Sequence, residues 1–314
     1  MPLLNHTKTF MLLAAMTALF GGVGYLVGGV PGMAIAFVIA IGLNVFSYWN
    51  SDSIVLKSYR AKPASEYRSN PKITAYLEDT RRLAERAGLP EPKIYIVEME
   101  QPNAFATGRN PDNAAVVATT GLLNMLERDE IAGVMAHELA HVKNRDTLTM
   151  TVTATIAGAI GLLANFAMFF GGGRERGGLI AALAIAFLAP IAASIVQMAI
   201  SRAREYEADR VGAEIAGNPE PLARALAKIS GQAELMPDRY TEEHQAMAHM
   251  FIVNPLAGQK GDNLFSTHPA TQNRINALMS LKNDVGGQPF EAEAPRRVSP
   301  WVAARQDCKK GPWG

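Results

Sequence analysis

Phe10 to Val30, Met33 to Trp49, Leu148 to Phe170 and Leu179 to Ile200 are four apolar stretches that contain no charged side chain. Each is long enough to cross roughly 30 Å of hydrocarbon as a helix, and a helix is what an isolated segment must form in lipid to satisfy its own backbone. Tyr48 and Trp49 close the second stretch in the manner of an interfacial aromatic belt. A cleaved leader is the competing reading of the first stretch, since Lys8 precedes it and small residues follow. The run is long for a leader, however, and a second span follows after only Pro31 and Gly32. A membrane hairpin accounts for both. The chain is 48% hydrophobic and 19% charged, between a soluble enzyme and a pure membrane bundle.

An even number of spans places residues 50 to 147 and 201 to 314 in one compartment. Lys57, Arg60, Lys62, Arg68, Lys143, Arg145, Arg202 and Arg204 flank the spans on that side, against Arg174 and Arg176 on the other, so the shared side is expected to be cytoplasmic. The lone Cys308 permits no internal disulfide, in keeping with a reducing compartment. A net charge of +1 and the lack of a basic patch with interleaved aromatics exclude a nucleic-acid partner.

Between the second and third stretches stands "VMAHELAHVKNRD", Val134 to Asp146. Its His-Glu-x-x-His spacing puts His137 and His141 on one helical face, where two neutral imidazoles can meet one zinc. Charged residues on both sides of the motif would be costly in lipid, so it belongs in water at the membrane surface. A catalytic zinc usually has three protein ligands and an open position. The metzincin extension fails, because Asn144 and Thr147 stand where Gly and His would be required. From Thr147 to Gly173 there is no Asp, Glu, His or Cys.

The first acidic helix after that gap, on the same side, is "SRAREYEADRVGAEIAG", Ser201 to Gly217. Glu205 and Asp209 share a face and Glu207 points elsewhere. If Glu205 is the ligand, Asp209 can reach the second nitrogen of a zinc histidine and fix its tautomer. Ordinary surface pairing of these charges is the plain alternative, and spacing alone leaves Glu205 and Glu207 both open. Glu138, beside the first histidine, is placed to take a proton from the water at the open position and to return it to a leaving amine. Elsewhere, Asn70 to Leu89 reads as a helix stopped by Gly88, and "KIYIVE", "NAFATG" and "AAVVATT" read as strands. An edge strand beside the metal would let an extended substrate add itself to the sheet, with Asn103, Ala104, Phe105, Ala106 and Thr107 as the binding residues. These could equally be ordinary core strands.

"HELAH" followed, after a membrane hairpin, by "SRAREYEAD" resembles the HtpX-type membrane zinc metalloproteases, relatives of the CAAX prenyl proteases. The likeness extends to "NAFATG", "VVATTGLLNML" and "THPATQNRI", nearly the whole chain to about Leu281. It implies Glu205 as third ligand, one zinc per chain, and a role for His268 in steadying the developing oxyanion. It also implies cleavage of misfolded or damaged membrane proteins at the cytoplasmic face of a bacterial-type inner membrane, a stress-response and quality-control activity. A CAAX-type processing protease and a catalytically idle membrane scaffold are the alternative readings.

The expectation is thus an α+β membrane protein with four transmembrane helices and a mainly helical, gluzincin-like cytoplasmic protease domain holding a small β-sheet. Its parts are a hairpin (1–50), the first part of the protease domain (51–147), a second hairpin (148–200), the second part (201–282) and a disordered tail (283–314). Its partners are peptide or protein substrates and the lipid bilayer.

Overall fold

A computed structural model describes residues 2–67, 69–150, 152, 202–233, 271–283, 285–286 and 288–291. Nearly all of the two later apolar stretches, and His268, lie outside these residues.

Helix α1 (Pro2–Trp49) contains Pro31, and Gly29 within it has φ +60°. Asn44 Nδ2 donates to the Leu13 carbonyl at 3.3 Å and to Thr17 Oγ1 at 2.9 Å. On a straight helix Leu13 and Asn44 would stand about 46 Å apart, so the chain reverses. The reversal falls at Gly29, two residues before the Pro31–Gly32 break expected from sequence, and leaves Pro31 in the first turn of the second arm, where its missing N–H costs nothing. The arms touch through small residues: a Cβ on Gly32 would lie 2.4 Å from the Gly24 carbonyl oxygen. Among the described residues one segment, Gly29–Phe46, is long and apolar enough to cross a membrane. Ile35, Val38 and Phe46 are more than half exposed on it.

Helix α2 (Ser51–Ser58) leads from the hairpin to a mixed four-stranded sheet of β1 (Lys62–Pro63), β2 (Lys93–Val97), β3 (Ala104–Gly108) and β4 (Ala114–Thr119) in the order β1-β2-β4-β3. β2 and β4 run parallel, β3 and β4 antiparallel, with Ala104 opposite Ala118 and Gly108 opposite Ala114. Val55, Leu56 and Tyr59 cover one face of the sheet through Val97, Phe105, Ala115 and Val117. The other face, with Ala104, Ala106, Val116 and Ala118, joins the main core.

That core is built around α5 (Arg128–Lys143), reached from β4 through α4 (Thr120–Met125). Every residue of α5 from Glu130 to Val142 is buried, as expected of a helix packed on all sides. Around it lie the sheet, α3 (Pro71–Ala87), α6 (Arg202–Ala216) and α7 (Glu220–Ala233), with α8 (Thr271–Ser280) packed on α6 and α7. α3 starts as sequence predicts, with Asn70 Oδ1 accepting from Lys72 N and Pro71 in the first turn, and ends at Gly88 in the left-handed region. Arg128 ties α5 to α3 by two bonds to Asp79, at 2.6 and 2.9 Å. Glu130 caps the start of α5 and accepts from Lys228 of α7 at 2.7 Å.

The segment expected to begin a disordered tail is docked as far as Glu291. Phe290 N donates to the Ala216 carbonyl at 2.7 Å, and its ring lies under Arg82, 4.6 Å from the guanidinium carbon. Residues 292–314 lie outside the described residues.

Helix α6 approaches α5 at a glycine. A Cβ on Gly212 would stand 2.9 Å from His137 Cα and 3.0 Å from its nitrogen. On an open helix glycine-to-alanine gains up to ~1 kcal/mol, but here the helices must part. Gly212→Ala is therefore expected to destabilise the protein by ~1–3 kcal/mol, read as a lower melting temperature and weaker metal binding, whereas exposed Gly231→Ala should not.

Candidate metal centre

The i, i+4 spacing on α5 turns both imidazoles toward one point, with Nε2 of His137 3.2 Å from Nε2 of His141. From α6, Glu205 brings Oε2 to 3.8 Å from His137 Nε2 and Oε1 to 3.7 Å from His141 Nε2. The ligand atoms of these buried residues lie within 4.8 Å of one another.

Each imidazole is held from behind. His137 Nδ1 is 3.0 Å from Asp209 Oδ1, and His141 Nδ1 is 3.2 Å from Asp146 Oδ2. A carboxylate at Nδ1 favours the ring proton there and turns the Nε2 lone pair to the cluster, as a metal requires, although Arg274 Nη2 also lies 3.4 Å from His137 Nε2. Asp209 is the residue the sequence singled out for this. Asp146 is not, although its position is locally determined: Arg145 takes φ +60° at the end of α5, and Asp146 N folds back to the His141 carbonyl at 2.9 Å.

Arg274 of α8 was also missed. It is 2% exposed and grips Asp209 with two bonds, Nε to Oδ2 at 2.8 Å and Nη2 to Oδ1 at 2.7 Å. Its Nη1 lies 3.4 Å from Glu205 Oε2. The only signal in the sequence was the "THPATQNRI" likeness, which gives Arg274 no role. Glu207 is off the site, paired with Arg210 at 2.7 Å. Asn103 to Thr107 fall on or beside β3, which packs against α5.

Burial is the largest single influence at Glu138, Asp209 and His141, but it decides the direction only at Glu138. It raises the Glu138 carboxyl above its usual range against the pull of His137 and His141. At Asp209 burial acts in the same direction, but Arg274 and His137 outweigh it and hold the acid below its usual range. At His141 burial opposes the charged ring, yet the hydrogen bond to Asp146 and the charges of Glu205, Asp146 and Glu138 push it up to about 9.

Two imidazoles and a glutamate, drawn from two helices and converging beside a buried acid, define the class of metallopeptidases with a His-Glu-x-x-His helix and a distant third ligand. The model of peptidase family M48 matches residues 71–282, and the chain belongs to that family. Among solved structures, the crystal structure of S. mikatae Ste24p aligns over 88% of this chain and 66% of that one, with 18% identity and a TM-score of 0.49. This chain thus spans just under two thirds of the length of that protein.

A proton on His141 competes with a metal for Nε2. Metal affinity should therefore rise roughly tenfold per pH unit while His141 is protonated and level off near pH 9. Chelator competition from pH 6 to 9 reads this. Asp146→Asn, which removes the charge that favours the imidazolium, should move the plateau to lower pH.

Proposed function

We propose that the chain is a zinc-dependent endopeptidase held at a membrane, and the observation that carries the proposal is the convergence of His137, His141 and Glu205 beside buried Glu138. The donor set fits zinc: two neutral nitrogens and one carboxylate oxygen from the protein, with a position left for water. When bound, zinc supplies a lowered water pKa and polarisation of the peptide carbonyl.

The chain's own residues do the rest. Glu138 takes the water's proton and delivers it to the leaving amine, and burial moves its carboxyl toward the neutral range where an acid–base group works best. Asp209 and Asp146 hold the imidazoles in the ligating tautomer, and Arg274 holds Asp209. His268 steadies the oxyanion. The substrate backbone lies along β3, whose second edge pairs with no strand among the described residues.

The hairpin of α1, apolar on its outer surface, anchors the enzyme. A second hairpin over 148–170 and 179–200 completes four spans, with both parts of the protease domain on the cytoplasmic side of a bacterial-type inner membrane. Substrates are misfolded or damaged membrane proteins that present an extended segment at that surface. This quality-control role rests on the likeness to HtpX-type proteases.

Glu138→Gln removes the proton acceptor and no metal ligand. Its purified, zinc-loaded form should bind zinc as the wild type does and lose about 10²–10⁴ in kcat on an unfolded protein substrate. Undiminished hydrolysis would contradict the role given to Glu138.

A further inference from the structure

The apolar hairpin and the domain that holds the metal centre are joined through Asn50. The helical ladder runs across it, from Asn50 N to the Phe46 carbonyl at 2.9 Å and from Ile54 N to the Asn50 carbonyl at 2.9 Å. Asn50 itself leaves helical geometry, with φ −107° and ψ 18°. Beyond this joint α2 belongs to the domain: Val55, Leu56 and Tyr59 pack on the sheet, and buried Asp52 accepts from Lys93 of β2 at 3.4 Å. Before it stands the outer end of α1, whose apolar segment runs to Phe46 and whose last residue, Trp49, is 60% exposed.

Arg109, in the turn between β3 and β4, reaches across the joint. Its Nη1 donates to the Trp49 carbonyl at 3.0 Å. Its Nη2 donates to Asn113 Oδ1 at 3.0 Å, and Asn110 Oδ1 accepts from Asn113 N at 2.9 Å and from Asn113 Nδ2 at 2.7 Å. The turn thus aims the guanidinium at the helix end, where a cation also meets the negative end of the dipole. The same turn leads to the metal centre. The Gly108 carbonyl, next to Arg109, accepts from Thr147 Oγ1 at 3.0 Å, and Asp146, next to Thr147, holds His141.

We infer that Arg109 is a positioning residue that sets the height of the metal centre above the bilayer, and so the distance from the membrane at which a tethered substrate is cut. The inference rests on the reading of the chain as a membrane-anchored peptidase. A break of one residue between α1 and α2 would let an anchored domain swing, and substrate segments at many heights could then reach the metal. The Arg109 bond opposes that swing, because the hairpin end, the β3–β4 turn and the end of α5 must move together or break it. An extended chain spans about 3.3–3.6 Å per residue. A fixed height therefore selects a narrow band of residues beyond the substrate's own membrane segment.

The test uses the full-length, zinc-loaded protein in vesicles of phosphatidylethanolamine and phosphatidylglycerol. The substrate is one transmembrane segment followed by repeats of a sequence that the enzyme cleaves in solution, and mass spectrometry reads the cut positions. In the wild type the cuts should cluster at one distance from the bilayer. In Arg109→Ala, cuts outside that band should rise about tenfold, the effect of losing one hydrogen bond from a charged group. Zinc content and kcat/KM on a short soluble peptide should stay unchanged. Arg109→Lys, which keeps the charge but not the two-pronged reach, should fall between the two. Unaltered cut positions in Arg109→Ala overturn the inference, as does a wild type that cuts at every distance. So does a parallel loss of zinc or of soluble-peptide cleavage in both variants, which makes the arginine a structural tie. A wild type that does not stay with the vesicles removes the anchor, and the inference with it, but leaves the peptidase standing. A zinc-loaded wild type that cleaves neither peptide nor protein removes the peptidase reading itself.

Discussion

Glu205, Asp209 and Gly212 lie four and three residues apart along one stripe of α6, and that stripe is pressed onto α5 where His137 and His141 stand. The bare backbone of Gly212 against His137 sets the distance between the helices. Glu205 then falls level with both Nε2 atoms and Asp209 falls behind the His137 ring. A side chain at Gly212 would separate the ligands from one another before it disturbed anything else. Gly133 plays the same part for α7, since a Cβ there would meet Leu222 N at 2.8 Å. Two glycines thus let α5 be surrounded closely enough for its buried polar groups to find partners.

The charge balance of the centre follows from that closeness. Glu138, Asp146, Glu205 and Asp209 are all buried, and the guanidinium of Arg274 is fully buried among them. Buried carboxylates are tolerated only when paired. Arg274 pairs Asp209 fully and Glu205 at longer range, and Arg204 adds its charge beside Asp146 and Glu205. A divalent cation held by the two Nε2 atoms and Glu205 would balance the carboxylates further. The residues after α8 are part of the same construction, because Phe290 lies under Arg82 of α3 and bonds to the last turn of α6.

What could be read from the sequence was what depends on short spacing. The two histidines and Glu138 follow from a five-residue motif, the face shared by Glu205 and Asp209 from helical phase, and the limits of α3 from Asn70, Pro71 and Gly88. The choice of Glu205 over Glu207 needed the family likeness. In the fold it follows from packing, which buries Glu205 and leaves Glu207 to Arg210. Arg274 was illegible because it meets Asp209 from 65 residues away. Asp146 was illegible because its approach to His141 depends on a left-handed arginine, which no sequence rule would place there. The reversal at Gly29 was anticipated to within two residues, since a glycine and a proline between two apolar runs leave few other places to turn. The docking of Phe290 was missed, because a stretch with scattered prolines and mixed charge carries no periodicity.

Helices α5 and α6 together are built to hold one metal through His137, His141 and Glu205. Zinc content per chain, measured after dialysis against a weak chelator, tests it most directly in a pair of variants on the same helix. Glu205→Gln should lose its zinc, and Glu207→Gln should retain about one zinc per chain, since its partner is Arg210 on the outer face. Zinc retained by Glu205→Gln, or lost by Glu207→Gln, would contradict the account.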